Sequence, residues 1–212
     1  MLGMGKQEMW SVGERDTVID ALDRAVAAHP DRVLLDFSGE LFTYAEVDRL
    51  SNAMAHSLSD AGVKRGDTVV SMLDNNVDAI ISWLAVNKLR AVSVPINTAL
   101  RGMFLKHQVA DAGAEIVICE TDYVERIADV STELSSVRLV LHRGKTAACE
   151  SQGDIEFAPL DEYRGSDFSA FTDKPDPADL ACIIYTSGTT GPSKGCMLSY
   201  NFMCSLARQQ LR

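Results

Sequence analysis

Between residues 68 and 142, short runs of β-branched and other apolar residues alternate with stretches whose apolar residues recur at helical spacing. No other feature narrows the possible folds as much. Strands are expected over 68–73, 91–95, 115–119 and 137–142. The intervening helices are marked by Val77, Ile80, Ile81 and Leu84, by 100–112 with Gly113 closing it, and by a shorter stretch over 123–130. Helical connections of this length join parallel strands through right-handed crossovers, which places helices on both sides of a sheet. The expected fold class is therefore α/β, a mainly parallel sheet flanked by helices on both faces.

Ahead of this alternation, Val18, Leu22, Ala25 and Val26 follow a capping Thr17 and stop near Pro30, which predicts a first helix. Runs at 33–37 and 41–44 flank Ser38-Gly39-Glu40 and predict a hairpin. Thr43 and Glu46 have the spacing of a capping box, and Val47, Leu50, Met54, Leu58 and Ala61 continue at helical intervals to Gly62. Beyond residue 142 the pattern weakens. Glycine, serine, acids and Lys174-Pro175-Asp176-Pro177 make 143–179 read as an irregular surface excursion, with a short strand near 155–157. Structure resumes with a strand over 180–185, another beginning at 196–198, and a helix over 201–212.

With 212 residues, 46% of them hydrophobic, the chain can bury a core without disulfides or a structural metal. Thirty acidic against twenty basic residues give a net charge of −10, which excludes a general electrostatic grip on nucleic acid. Any anionic ligand must be held by local geometry. Cys119, Cys149, Cys182, Cys196 and Cys204 form no C-x-x-C pair and read as reduced thiols. His29, His56, His107 and His142 are scattered, so no protein-built metal site is expected. The start lacks an export signal, and no apolar run approaches the roughly 20 residues of a membrane span. A cytoplasmic location is expected.

One stretch carries chemistry: Thr186-Ser187-Gly188-Thr189-Thr190-Gly191-Pro192-Ser193-Lys194-Gly195, with three glycines, five hydroxyls and one cation. Gly188 and Gly191 can adopt positive φ and bring backbone N–H groups close to an anion; Ser187, Thr189, Thr190 and Ser193 add hydroxyl donors, and Lys194 adds charge. Neither the Walker loop nor the dinucleotide fingerprint fits. Position 193 is serine where G-x-x-x-x-G-K-[ST] counted from Gly188 needs glycine, and the glycines at 188, 191 and 195 do not form G-x-G-x-x-G.

Tyr185 to Gly195 resembles the signature loop of the adenylate-forming enzymes: acyl-CoA synthetases, firefly-type luciferases and peptide-synthetase adenylation domains. Leu41-Phe42-Thr43-Tyr44-Ala45-Glu46-Val47 is similar to an early helix start of that family, and Ala91-Val92-Ser93-Val94-Pro95-Ile96-Asn97 to one of its strand exits. Pro95-Ile96-Asn97-Thr98, followed by Leu105, His107 and Asp111-Ala112-Gly113-Ala114, looks more like fatty-acyl and carnitine/crotonobetaine-type CoA ligases than amino-acid-activating relatives. Leu198-Ser199-Tyr200 departs from the Leu-Thr-His common in relatives, and Ser193 stands where they commonly have proline.

The resemblance implies that residues 1–212 are the N-terminal part of an AMP-binding domain. It implies a ligase using ATP, Mg2+ and coenzyme A: a small carboxylic acid attacks the α-phosphate of ATP, giving an acyl-adenylate and pyrophosphate, and the thiol of coenzyme A then takes the acyl group. A carboxylate is ionised at neutral pH, so the first step needs no general base, and its barrier is charge meeting charge. Thr186, Ser187, Thr189, Thr190 and Ser193 are expected to bind phosphate, with Gly188, Gly191 and Gly195 shaping the backbone and Lys194 as the catalytic cation. Sites for adenine, magnesium and the acyl chain are expected downstream of Arg212, so the segment alone is expected to be inactive, and apolar surface left uncovered would favour a homo-oligomer. The alternative is a stand-alone, non-catalytic module that uses the loop to hold a phosphate-bearing ligand or a partner. A third reading, Cys196 or Cys204 as nucleophile, is disfavoured by the absence of a nearby histidine and by apolar Met197 and Met203.

Overall fold

The computed structural model describes residues 16–144, 153–186 and 191–210. Helix α1 (Val18–Ala28) begins at Thr17, whose hydroxyl accepts from the Asp20 amide while the Asp20 carboxylate accepts from the Thr17 amide. The antiparallel hairpin β1 (Val33–Phe37) and β2 (Glu40–Thr43) leads directly into α2 (Tyr44–Asp60). There Thr43 and Glu46 form the second capping box anticipated from their spacing. Two free helix starts are thus closed by local side chains.

The alternation that follows is β3 (Thr68–Met72), α3 (Val77–Lys88), β4 (Val92–Pro95), α4 (Gly102–Ala112), β5 (Ile116–Glu120), α5 (Val124–Ala128) and β6 (Leu139–Arg143). Strands β7 (Glu156–Pro159), β8 (Leu180–Thr186) and β9 (Lys194–Ser199) and helix α6 (Tyr200–Gln210) complete the described elements. The sheet order is β7-β6-β5-β3-β4-β8-β9, and every neighbouring pair is parallel except β8 with β9. It is the mainly parallel α/β sheet that the sequence predicts.

Because side chains alternate along a strand, each central strand feeds two cores. Val69, Ile116, Ile118, Leu139 and Leu141 meet Met54 and Leu58 of α2 and Ile81 and Leu84 of α3 on one face. Val70, Val117, Cys119 and Val140 meet Leu105 and Val109 of α4 and Val124 and Ile127 of α5 on the other. Strands covered on both sides need no polar face, which is why they read as continuous apolar runs.

The described part of 143–179 is largely exposed and irregular, with its short strand beside the position expected for one. Among those described, β7 extends the sheet beside β6, and the stretch after it returns over the outer side of α2 to β8. Five strand spacings separate β7 from β8 in the sheet order, so the chain must recross about 24 Å of sheet above a helical layer. It is tied down along the way. Arg164 binds Asp78, Asn52 donates to the Phe168 carbonyl, Arg49 lies over the Phe168 ring, and His56 stacks on Phe171. Polar composition marked a strap, anchored by charge and aromatic contacts in place of an apolar stripe.

Smaller differences concern element ends. The helix expected over 123–130 is a 3-10 turn, Thr121–Tyr123, followed by α5; the strand expected from Cys196 begins two residues earlier; the last helix begins at Tyr200, and 211–212 lie outside the described residues. No helix among the described residues is long and apolar enough to cross a membrane. Cys119, Cys182 and Cys204 are buried and Cys196 is exposed.

Candidate functional site

The glycine-rich stretch connects β8 to β9, the antiparallel pair at one edge of the sheet. Ser187, Gly188, Thr189 and Thr190 lie outside the described residues. The remaining members mark both ends of the connection: Thr186 closes β8 directly opposite Lys194, and Tyr185 stands opposite Gly195. Gly191 has φ +156°, a backbone setting that side-chain-bearing residues rarely take.

Gly195 is explained by packing, with no need of a special φ. A Cβ at this position would lie 2.7 Å from Ile183 Cγ2 and 3.4 Å from Tyr185 Cζ. Only a residue without a side chain lets β9 lie this close against β8. Lys194 is exposed and has no ion-pair partner among the described residues. Thr186 is also exposed, its hydroxyl 4.0 Å from Cys196 Sγ.

Helix α4 grips this connection from the side. Phe104, His107, Gln108 and Asp111 fall at spacings of 3, 4 and 7 and form one stripe, while Leu105 and Val109 are fully buried beneath the sheet. From the stripe, His107 Nε2 lies 2.8 Å from the Ser193 carbonyl oxygen and Gln108 Nε2 donates to Ser193 Oγ at 3.0 Å. Asp111 accepts from the Tyr185 hydroxyl at 2.7 Å, and the His107 and Tyr185 rings meet edge to face. Burial first, and the hydrogen bond to the Asp111 carboxylate second, push the Tyr185 phenol well above its ordinary range. None of these three α4 residues was among the phosphate-binding candidates. In the sequence His107 and Asp111 bear only on substrate class, because 74 to 86 residues separate them from their partners.

Beside the connection is an open cavity of about 500 Å³, bounded by Met103, Phe104 and His107 of α4 on one side and by Gly191 and Pro192 on the other. Met103 and Phe104 are 77% and 68% exposed there, so an apolar wall faces the polar loop. At the carboxyl ends of β3 and β5, where open α/β sheets commonly bind ligands, the charged groups bind one another instead. Asp78, 2% exposed, accepts from Arg143 and Arg164; Glu120 accepts from Asn76 and Arg143. That network fastens the strap to the sheet. No group of three His, Cys, Asp or Glu residues suited to a metal ion comes together among the described residues. The thiols weighed as nucleophiles differ: Cys204 is buried and its thiol is raised by burial, whereas Cys196 lies exposed on the edge strand.

Comparison with known proteins adds an independent finding. A family model described as AMP-binding enzyme matches residues 22–212. A medium/long-chain-fatty-acid–CoA/3-oxocholest-4-en-26-oate–CoA ligase of Mycobacterium marinum is 32% identical over 184 residues, 85% of this chain and 33% of its own length. A 4-coumarate–CoA ligase of Oryza sativa subsp. japonica is 31% identical over 192 residues, 88% of this chain and 33% of its own. The solved structure of an anthranilate CoA ligase with anthranoyl-AMP superposes with a TM-score of 0.80 at 19% identity, covering 93% of this chain and 37% of that one; at that identity it bears on the fold. The chain spans about a third of the length of the curated relatives it matches.

Proposed function

The chain belongs to the AMP-binding enzyme family, and from that premise we propose that it supplies the triphosphate-gripping segment of an ATP-dependent acid–CoA ligase, with 186–195 as the phosphate-binding loop. The observation that carries this reading is Lys194: an exposed cation with no ion-pair partner among the described residues, at the mouth of a glycine-bounded hairpin, in a chain of net charge −10. A lone cation amid excess acid has a use if an anion visits it.

In the proposed reaction a carboxylate attacks the α-phosphate and pyrophosphate leaves. Both partners are anionic, so the work of the protein is to neutralise and orient, and no base is required. Lys194 would offset charge on the leaving group. Thr186 and Ser193, with Ser187, Thr189 and Thr190, would donate hydroxyl hydrogen bonds to phosphate oxygens; Gly188 and Gly191 would let backbone amides approach, and Gly195 would keep the strands close. The transfer to coenzyme A, and the carboxylic acid itself, belong to the same proposal. The relatives named above carry medium/long-chain fatty acids, 3-oxocholest-4-en-26-oate and 4-coumarate in their names, so the acid is proposed only as a class, small-molecule carboxylic acids. Magnesium would accompany ATP; no group of three candidate ligating side chains comes together among the described residues.

At a third of the relatives' length, the chain is tested by binding and not by turnover. Calorimetric titration with Mg-ATP should show binding that inorganic pyrophosphate displaces. Lys194→Ala should weaken it about 10- to 100-fold, the worth of one charge-assisted contact, with unchanged thermal melting. Equal affinity of the variant would refute the Lys194 assignment.

A further inference from the structure

Two adjacent side chains of α4, outside the loop and outside every residue assigned above to phosphate, converge on one loop residue. Gln108 is 7% exposed, and its Nε2 donates to Ser193 Oγ at 3.0 Å. His107 Nε2 sits 2.8 Å from the Ser193 carbonyl oxygen. A carbonyl can only accept, so Nε2 carries a proton in this contact whether the ring is neutral or charged. A hydroxyl oxygen that accepts one hydrogen bond still has its own proton to give. Among the described residues, that proton of Ser193 has no acceptor.

We infer that Gln108 and His107 are positioning residues for the phosphate loop. Gln108 occupies a lone pair of Ser193 from the protein side and so turns its O–H away from the protein, towards an arriving phosphate oxygen. His107 holds the peptide joining Ser193 to Lys194, the link from which the cation departs. The platform is rigid, because Leu105 and Val109, on the neighbouring stripe of the same helix, are fully buried in the sheet core. A donor fixed before the ligand arrives costs less ordering on binding than one that must be recruited.

The inference rests on the phosphate-binding reading of the loop, and the test separates the two. Mg-ATP is titrated into the 212-residue chain and into Gln108→Glu, Gln108→Leu, Ser193→Ala and the double variant Gln108→Glu/Ser193→Ala. The carboxylate introduced by Gln108→Glu can only accept, so it draws the Ser193 proton inward. Binding should weaken about tenfold or more, the worth of a hydrogen bond to a charged group, while melting stays unchanged. Gln108→Leu frees the hydroxyl to rotate and should weaken binding less. In the Ser193→Ala background most of the effect of Gln108→Glu should vanish, since the hydroxyl it acts through is gone. Plain charge repulsion would persist in that background, so losses that multiply in the double variant overturn the inference, as does wild-type affinity in Gln108→Glu. A wild-type chain that fails to bind Mg-ATP refutes the phosphate reading itself; one that binds while ignoring Gln108 refutes only the positioning role.

Discussion

Replacing Gly195 by alanine should destabilise the fold although it adds one methyl group at the surface edge of a sheet. The added Cβ would lie 2.7 Å from Ile183 Cγ2 and 3.4 and 3.5 Å from two atoms of the Tyr185 ring. Carbon atoms rest at roughly 3.5–4.0 Å, so the ring contacts are tolerable and the Ile183 methyl must retreat by about 1 Å. Ile183 packs against the core shared with α4, and its branched side chain has few alternative rotamers. The backbone of β9 is then what yields. Overpacking of this kind costs about 1–3 kcal/mol, and alanine returns about 0.4–1 kcal/mol by restricting the unfolded chain, leaving a net loss on the order of 1 kcal/mol. Tyr185, directly opposite, carries the displacement to its contact with Asp111. Urea unfolding of wild type, Gly195→Ala, Ile183→Ala and the double variant measures the clash directly. The two changes should couple favourably by about 1 kcal/mol. Strictly additive losses, or a Gly195→Ala chain as stable as wild type, would show that close strand approach is not why glycine stands there.

Two further outcomes follow from the side-chain environments. The Glu46 carboxylate is held below its usual range, chiefly by the backbone hydrogen bond from Thr43 and then by its hydroxyl. A carboxyl with a depressed folded pKa adds stability that is complete above its unfolded value of about 4.3 and is lost as pH falls through the folded value. Thermal melts of Glu46→Gln should therefore decline less steeply than wild type between about pH 5 and 3, and parallel curves would contradict the capping account. Burial pushes the Cys182 thiol up to about 11, while Cys196 is exposed. Brief alkylation near pH 8, read by mass spectrometry, should label Cys196 and spare Cys182 until the chain unfolds; comparable rates would contradict the packing of β8.

What could be read from the sequence was whatever is decided within a few residues. The Thr17 cap and the Thr43 capping box are such features, because an N-cap and its third neighbour satisfy each other whatever the rest of the chain does. So are the apolar strands, since a strand buried on both faces needs an uninterrupted run. Strand order is different: β3 pairs with both β4 and β5, and nothing in the composition of Val69 or Val70 distinguishes one neighbour from the other. The start of β9 at Lys194 was also hidden. An edge strand that begins Lys-Gly has no apolar alternation to reveal it, and Gly195 looked like a loop residue when its place is set by Ile183 across the pair. The path of the strap across α2 was hidden for a related reason. Its anchors, such as Arg164 on Asp78 and Ser169 on His56, are polar contacts across 86 and 113 residues, and in sequence they look like solvated surface.

The same distinction bears on the proposed site. The loop's proposed chemistry is local, ten residues whose types suit a phosphate cradle, but the geometry of its described ends is imposed from elsewhere. On one side of β8, Tyr185 is tied to Asp111 and Ser193 to His107 and Gln108. On the other, Cys182 packs on Tyr200, whose hydroxyl donates to the Asn87 carbonyl at the end of α3. The hairpin that carries the loop is thus clamped between helices from both layers, although among the described residues it lies at the sheet's edge. An edge strand held only by its single partner would let the mouth of the loop drift, and the proposed phosphate contacts would weaken with it. The clamp removes that freedom. Substitutions on the loop-facing stripe of α4 should therefore alter ligand affinity more than stability, and those on its buried stripe, at Leu105 and Val109, should do the reverse.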